Sequence, residues 1–347
     1  MKNKLIQNIL LILLAVFLVI SLGVAVKFFN YVSDLGVFSR NDDGNAEIKV
    51  EFSGSEVYCD YDCVDIQGTR VVITEPGDYF FSGYSGDGQI IIDDTVQDES
   101  LKGNYDDYRI TFDGIDLTSK KGSPFAIYKA DKIKISIDGD NVLTDASTYS
   151  DSYASGAANA CFYSKRGFEL DGAGSLTING NYNHGLSVRG KLYIKNANLV
   201  VNAPGNAIDV KKELEILDGD FVLNAGGDGF NIKNNDEPGK GLLVIKNGSY
   251  LINASDEGIR AADQILIDNS KISISALGDG ISTTDEIVID NSEVNIVSSD
   301  DGLNGDAGLK IADSRVDISA GGRLYRTKGV VDIGDDCLFM HVVEEDN

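Results

Sequence analysis

Between residues 183 and 326 the chain repeats itself about every 22 residues, and nothing else in it constrains the fold so strongly. Framed on an x-Gly-apolar turn, the segments NHGL, GNAI, GDGF, DEGI, GDGI and DDGL bring Gly185, Ala207, Gly229, Gly258, Gly280 and Gly302 into one column. Each step is 22 residues except Gly229 to Gly258, which is 29 and contains a seven-residue excursion, NNDEPGK, from Asn234 to Lys240. An insertion that leaves the phase intact is a loop on a regular scaffold.

Three apolar columns follow from the same frame. Leu186, Ile208, Phe230, Ile259, Ile281 and Leu303 form the first, and Ile194, Ile216, Ile245, Ile267, Ile289 and Ile311 the second. The third is Val201, Leu223, Ile252, Ile274, Ile296 and Ile318. Each column marks a short strand with alternating apolar residues. Three such strands per repeat, each parallel to its equivalents, predict an all-β solenoid, a right-handed parallel β-helix of about ten coils stacked about 4.8 Å apart. One coil cannot bury its own apolar face, whereas a stack forms a continuous core. Polar columns support the same frame. Asn196, Asp218, Asn247, Asn269, Asn291 and Asp313 predict an inward or corner ladder, since Asn and Asp tolerate a bent backbone. Ser270, Ser292 and Ser314 follow it, and Ala203, Ala225, Ala254, Ala276 and Ala320 suit a tight turn.

The 38 glycines, 4 prolines and absence of Trp fit a turn-rich all-β chain. With 55 acidic and 30 basic residues the net charge is −25, which argues against nucleic acid and anionic membrane surfaces and makes cations the natural partners. Lys2 and Lys4 precede an apolar stretch from Ile9 to Val26, 18 residues broken only by Ser21 and Gly23. That is about the length needed to span a bilayer. No Ala-x-Ala cleavage site follows, so residues 1–26 are expected to be an uncleaved anchor entering the lipid bilayer through residues 5–26, with the rest of the chain extracellular. A secreted chain with a cleaved signal is the alternative. Residues 27–45 read as a polar stalk, 46–340 as the β-helix and 341–347 as an acidic tail. Asp93, Asp113 and Asp138 end similar apolar strands, which extends the repeat toward the amino terminus, and the polar segment from Asp145 to Ala158 is expected to loop out. Cys59 and Cys63, in CDYDC, are the expected disulfide pair, with Cys161 a buried thiol.

The chemistry concentrates in the column before the repeated glycine: His184, Asn206, Asp228, Glu257, Asp279 and Asp301, with Asp256 and Asp300 beside it. Stacked carboxylates repel unless a cation lies between them, and calcium takes oxygen ligands at about 2.3–2.6 Å. Asp228, Asp256, Glu257, Asp279, Asp300 and Asp301 are therefore the candidate calcium ligands, competing with the plainer role of solvated Asp-Gly turns. Asp263, Asp285 and Asp306 offer further carboxylates on the following face. Asn231 and Asn304 stand two residues past the glycine and are candidate additional ligands. Arg260 interrupts a column of Ser187, Asp209, Asn231, Ser282 and Asn304, and is expected to meet an anionic sugar, to act as a lyase base, or to pair with Glu257 or Asp256. Neither His184 nor His341 has the context of a triad or metal site, and no catalytic set is recognisable.

The stretches ITEPGDYFFSGYSGDGQIIID, ITFDGIDLTSKKGSPFAIYKADKIKISIDGDNVLTD and GSLTINGNYNHGLSVRGKLYI, with the Asp-Gly-Ile repeats, resemble the bacterial carbohydrate-binding β-helix domain of clostridial cell-surface proteins that bind polygalacturonate. The likeness covers roughly Val71 to Ile318 and departs from the pattern where His184 and Asn206 replace the usual Asp. It implies a pectate-lyase-like fold, bound calcium, and a binder of acidic polysaccharide rather than an enzyme. A calcium-dependent polysaccharide lyase is the first alternative, and a structural adhesin or envelope spacer the second. With no Trp platform for neutral sugars, cation bridging between protein and uronate carboxylates is the expected chemistry.

Overall fold

The computed structural model describes residues 47–341 apart from 60, 62, 63, 95–106, 152, 154–156, 234–239, 336 and 337. The chain divides into two units, Met1–Glu47 and Ile48–Asn347, and the β-helix is the second. One coil shows how it is built. Ile259–Ala261 lies on the first face, Ile265–Asp268 on the second and Lys271–Ala276 on the third. Each pairs in parallel with its equivalent in the next coil, Ile281–Thr283, Glu286–Asp290 and Glu293–Ser298. Ile259 opposes Ile281, Ile267 opposes Ile289 and Ile274 opposes Ile296, so the three apolar columns of the sequence are register partners along the solenoid. All six side chains are buried. At roughly 1.5–3 kcal/mol for each apolar side chain removed from water, the stacked columns supply the main stabilisation.

The first face contains twelve strands among the described residues. Its first pair, Val64–Gln67 with Arg70–Ile73, is antiparallel, as is Glu47–Ser53 with Glu56–Cys59. These two hairpins give the amino-terminal end a different edge from the parallel coils that follow. The adjoining core is aromatic, with Phe112, Phe125 and Phe162 in edge-to-face contact at centroid separations of 5.1 and 4.7 Å. Farther along, isoleucine replaces them.

The Asn column lies at an exposed corner rather than inside. Asn247, Asn269, Asn291 and Asp313 have φ between 43° and 53°, the left-handed conformation that turns the chain from the second face to the third. The serines that follow are buried, and the Ser270 and Ser292 backbone N–H groups donate to Ser292 Oγ and Ser314 Oγ at 3.1 and 3.0 Å.

Three expectations need correction or fall elsewhere. Asp113 and Asp138 are register partners, but Asp93 ends a first-face strand, Gln89–Asp93, and opposes Lys129. An apolar strand ending in Asp does not identify its face. The segment after Asp145 does leave the coil, between Asp140–Thr144 and Ala160–Ser164, but it folds back onto the domain. Tyr149 Oη donates to Asp145 Oδ2 at 2.6 Å, Arg70 pairs with Asp151 at 2.7 Å, and Tyr149 packs against Ala126, Ala158, Ala160 and Tyr163, closing the segment over the first face. The anchor, the stalk, Cys63, most of the Asn234–Lys240 loop and residues 342–347 of the acidic tail lie outside the described residues. No helix among the described residues is long and apolar enough to cross a membrane.

Candidate functional site

The column before the repeated glycine sits where the chain turns into the first face, and its side chains share one structural task. All but Glu257 accept the backbone N–H of their equivalent one coil on. His184 Nδ1 accepts from Asn206 at 3.1 Å, Asn206 Oδ1 from Asp228 at 2.9 Å and Asp228 Oδ1 from Glu257 at 3.2 Å. Asp279 Oδ1 accepts from Asp301 at 3.0 Å and Asp301 Oδ1 from Arg323 at 2.8 Å. The position requires an acceptor, not a charge, which is why His and Asn occupy it in the first regular coils.

The carboxylates above them do not form one continuous stack. They gather into two triads, Asp228 with Asp256 and Glu257, and Asp279 with Asp300 and Asp301, each drawn from two adjacent coils with carboxylate oxygens within 4.8 Å of one another. All six sequence-derived metal candidates are thus brought together, three and three. Asp263 and Asp285 meet outside the triads, where burial first and the Asp263 contact second raise the Asp285 carboxyl above its ordinary range.

The triads differ in how well they are satisfied. In the second, Asn304 Nδ2 donates to Asp279 Oδ2 at 2.8 Å, and Arg326 lies 2.9 Å from Asp301 Oδ2 and 3.8 Å from Asp279 Oδ2. Asn304 Oδ1 in turn accepts from Arg326 Nε at 3.2 Å. In the first, Arg260 reaches only Glu257 Oε1, at 2.9 Å, and the buried Glu257 Oε2 has no partner. Burial, then the contact with Asp228, raises the Glu257 carboxyl, and burial with the Glu257 contact raises that of Asp256. Asn231, 3 % exposed, donates to Asp209 at 2.9 Å while its own Oδ1 is unpartnered. The orphaned Glu257 Oε2 and two carboxyls held above their range make this the triad that fits a hard cation.

The register Ser187, Asp209, Asn231, Arg260, Ser282, Asn304 is confirmed strand by strand, and it continues to Arg326. Arg326 escaped the sequence reading, although one more 22-residue step from Asn304 reaches it. A shallow groove of about 310 Å³ runs between the two arginines, floored by Ser282 and Asn304.

A carbohydrate-binding domain-containing protein family model matches residues 67–321, most of the described β-helix. The chain belongs to that carbohydrate-binding family. A carbohydrate-binding domain-containing protein of Acetivibrio thermocellus is 36% identical over 164 residues, covering 46% of this chain and 54% of the relative, so the chain spans about half of that protein's length. Among solved structures, a polysaccharide lyase-like protein from C. thermocellum, studied as a gadolinium derivative, aligns with a TM-score of 0.58 at 29% identity, over 85% of this chain and 99% of the other. This carbohydrate-binding domain therefore shares its solenoid with a lyase-like protein while its family is named for binding.

Proposed function

We propose that this carbohydrate-binding domain holds acidic polysaccharide of the polygalacturonate type through calcium, at the surface of the cell that makes it. The observation that carries the reading is the first triad, where Asp228, Asp256 and Glu257 converge and Glu257 Oε2 is left without a donor. Those three side chains would hold the ion, and its remaining coordination positions would take uronate carboxylates or hydroxyls. The second triad, whose Asp279 and Asp301 oxygens are already engaged by Asn304 and Arg326, is the weaker cation site. Residues 5–26 would tether the domain to the lipid bilayer.

The test is retention of the full-length chain on polygalacturonate with calcium and with EDTA. Calcium-dependent retention, reduced by Asp228→Asn or Glu257→Gln, is the expected result. Retention indifferent to chelation and to both substitutions would sink it. Because a proton must leave the raised Glu257 carboxyl before an ion binds, calcium affinity is expected to decline on acidification well before pH reaches the ordinary glutamate value of 4.5.

A second reading, polysaccharide lyase, rests on the lyase-like neighbour and on Arg260 beside the triad. Ultraviolet absorbance of unsaturated ends, rising with time and abolished by Arg260→Ala, would establish that reaction. Retention without product favours binding alone.

A further inference from the structure

We propose that the third face carries a second, metal-independent glycan site: a trough beside an amide ladder, Asn179, Asn202, Asn224 and Asn253, that takes an uncharged, hydroxyl-bearing stretch of polysaccharide. The proposal uses none of the calcium-site residues and rests only on the chain's membership of a carbohydrate-binding family.

The four asparagines are register partners in four successive coils, so they leave the same face one strand spacing apart, about 4.8 Å. Asn202 Nδ2 donates to Asn179 Oδ1 at 3.0 Å, Asn224 Nδ2 to Asn202 Oδ1 at 2.9 Å and Asn253 Nδ2 to Asn224 Oδ1 at 2.9 Å. A side-chain amide carries two N–H donors and an oxygen with two lone pairs. The ladder uses one of each on Asn202 and Asn224, which leaves both with a donor and an acceptor for a ligand. Side-chain bonds this open to water add little to stability, so the consequence of the ladder is orientation. Its amides are held in place before a ligand arrives, and binding does not have to order them.

A trough of about 470 Å³ lies against the ladder, with Ala225 and Ala254 in its floor and Ser255 and Ser275 among its lining. No charged side chain lines it, which sets it apart in a chain of net charge −25. Amide and hydroxyl groups match sugar hydroxyls, which donate and accept at once, whereas a uronate carboxylate would find no cation to pair with there. On the other side of the ladder run Val200, Val222 and Leu251, register partners in three coils, the valines half-buried and Leu251 exposed. That apolar strip suits the C–H faces of a pyranose. The turns beside the trough carry large apolar side chains at both ends. Tyr182 lies between Gly180, whose N–H donates to the Asn202 carbonyl, and Asn183, whose carbonyl accepts from Gly205 N–H. Its exposed ring stacks on Tyr149 at 4.2 Å, and Tyr149 is pinned by Asp145 Oδ2 and the Ala160 carbonyl, so Tyr182 is a firmly seated platform for a sugar face. At the other end the exposed Leu277 is bonded through its N–H to the Ala254 carbonyl. Ser255 lines the trough and the next residue, Asp256, belongs to the first triad, so uncharged and acidic sites flank one turn. The occupant the trough suits is the uncharged kind of stretch, such as a uronan whose carboxyls are all esterified.

The experiment measures binding of the full-length chain to fully methyl-esterified polygalacturonate in EDTA, at about 50 and about 300 mM salt, where screening differs strongly. The expected result is binding that is equal at the two salt concentrations and falls about tenfold in N202A/N224A/N253A, as for loss of several neutral hydrogen bonds. S275R, at an exposed position in the lining, should weaken it as much by filling the space, with a melting temperature that matches the parent's. Calcium-dependent retention on unesterified polygalacturonate should survive in both variants. No binding of the parent chain to the esterified polymer, or binding unaltered in both variants, overturns the trough and leaves the calcium reading standing. Binding in EDTA that weakens several-fold with salt, or that strengthens as the esters are removed, makes the contact electrostatic and overturns the uncharged assignment. Binding to the esterified polymer with no calcium dependence on the unesterified one upholds the trough and overturns the calcium reading alone.

Discussion

Ala207 is the one departure from glycine in its column, and the residue it packs against explains it. A Cβ built on Gly229, Gly258, Gly280 or Gly302 would come within 2.5 Å of the Cγ2 of Ile252, Ile274, Ile296 or Ile318. In the coil of Ala207 the matching residue is Leu223, which has no branch at Cβ and leaves that space. Gly258→Ala is therefore expected to cost about 1–3 kcal/mol, typical of overpacking, and Ile274→Leu in the same chain should return part of it. Urea unfolding of the four members of that cycle measures the coupling, and additive losses would refute the pairing. A different residue-scale test concerns His184. Burial, its largest influence, holds the imidazole below its ordinary value of 6.5, with Asp209 opposing. The unfolded chain then binds more protons, so the stability His184 contributes is complete above 6.5 and is lost as pH falls through the depressed folded value. His184→Asn keeps an acceptor for Asn206, as the next coil does naturally, and should flatten that dependence in melts between neutral and mildly acid pH. The identity of this column was legible in the sequence; its task was not, because a backbone donor one coil away has no sequence signature.

At the scale of elements, the strands were readable wherever spacing was constant. From Gly185 onward every apolar column became a register partner, since a fixed step leaves only one way to stack the coils. Earlier strands lack that step, so the likeness of the strands ending at Asp93, Asp113 and Asp138 shows that the repeat begins before residue 183 but not that Asp93 lies on a different face from the other two. That the excursion after Asp145 packs back is not legible in the sequence for a related reason: its polar residues are satisfied by other parts of the domain. Arg70 donates to both Gln89 and Asp151, and Gln89 Nε2 donates to Ser123 and to Asp151. Asp151→Ala would leave these largely buried donors short of an acceptor, and a loss of about 1–3 kcal/mol in chemical denaturation is expected. A loss confined to a few tenths would mean that the segment contributes nothing to the fold.

For the whole molecule, the net charge of −25 described the average and concealed the pattern. Composition pointed to cations as the sole means of holding an acidic polymer, yet the third-face trough is lined without a single charge, and only the register reveals it. If the first triad binds calcium only when folded, a hundredfold excess over the dissociation constant adds about 2.7 kcal/mol. Chelation should then lower the melting temperature by several degrees at matched ionic strength, and Glu257→Gln should make the melt insensitive to EDTA. The constancy of the coil has one more consequence. The solenoid advances in fixed ticks, whereas any polymer laid along it advances in ticks of its own, and two scales of unequal division drift apart like a vernier. Short carboxylates gathered into a cup can answer one mark on the polymer. If the triad grips the polymer as proposed, it would read it strictly at one mark, and the strand would have to slide until that mark falls into place.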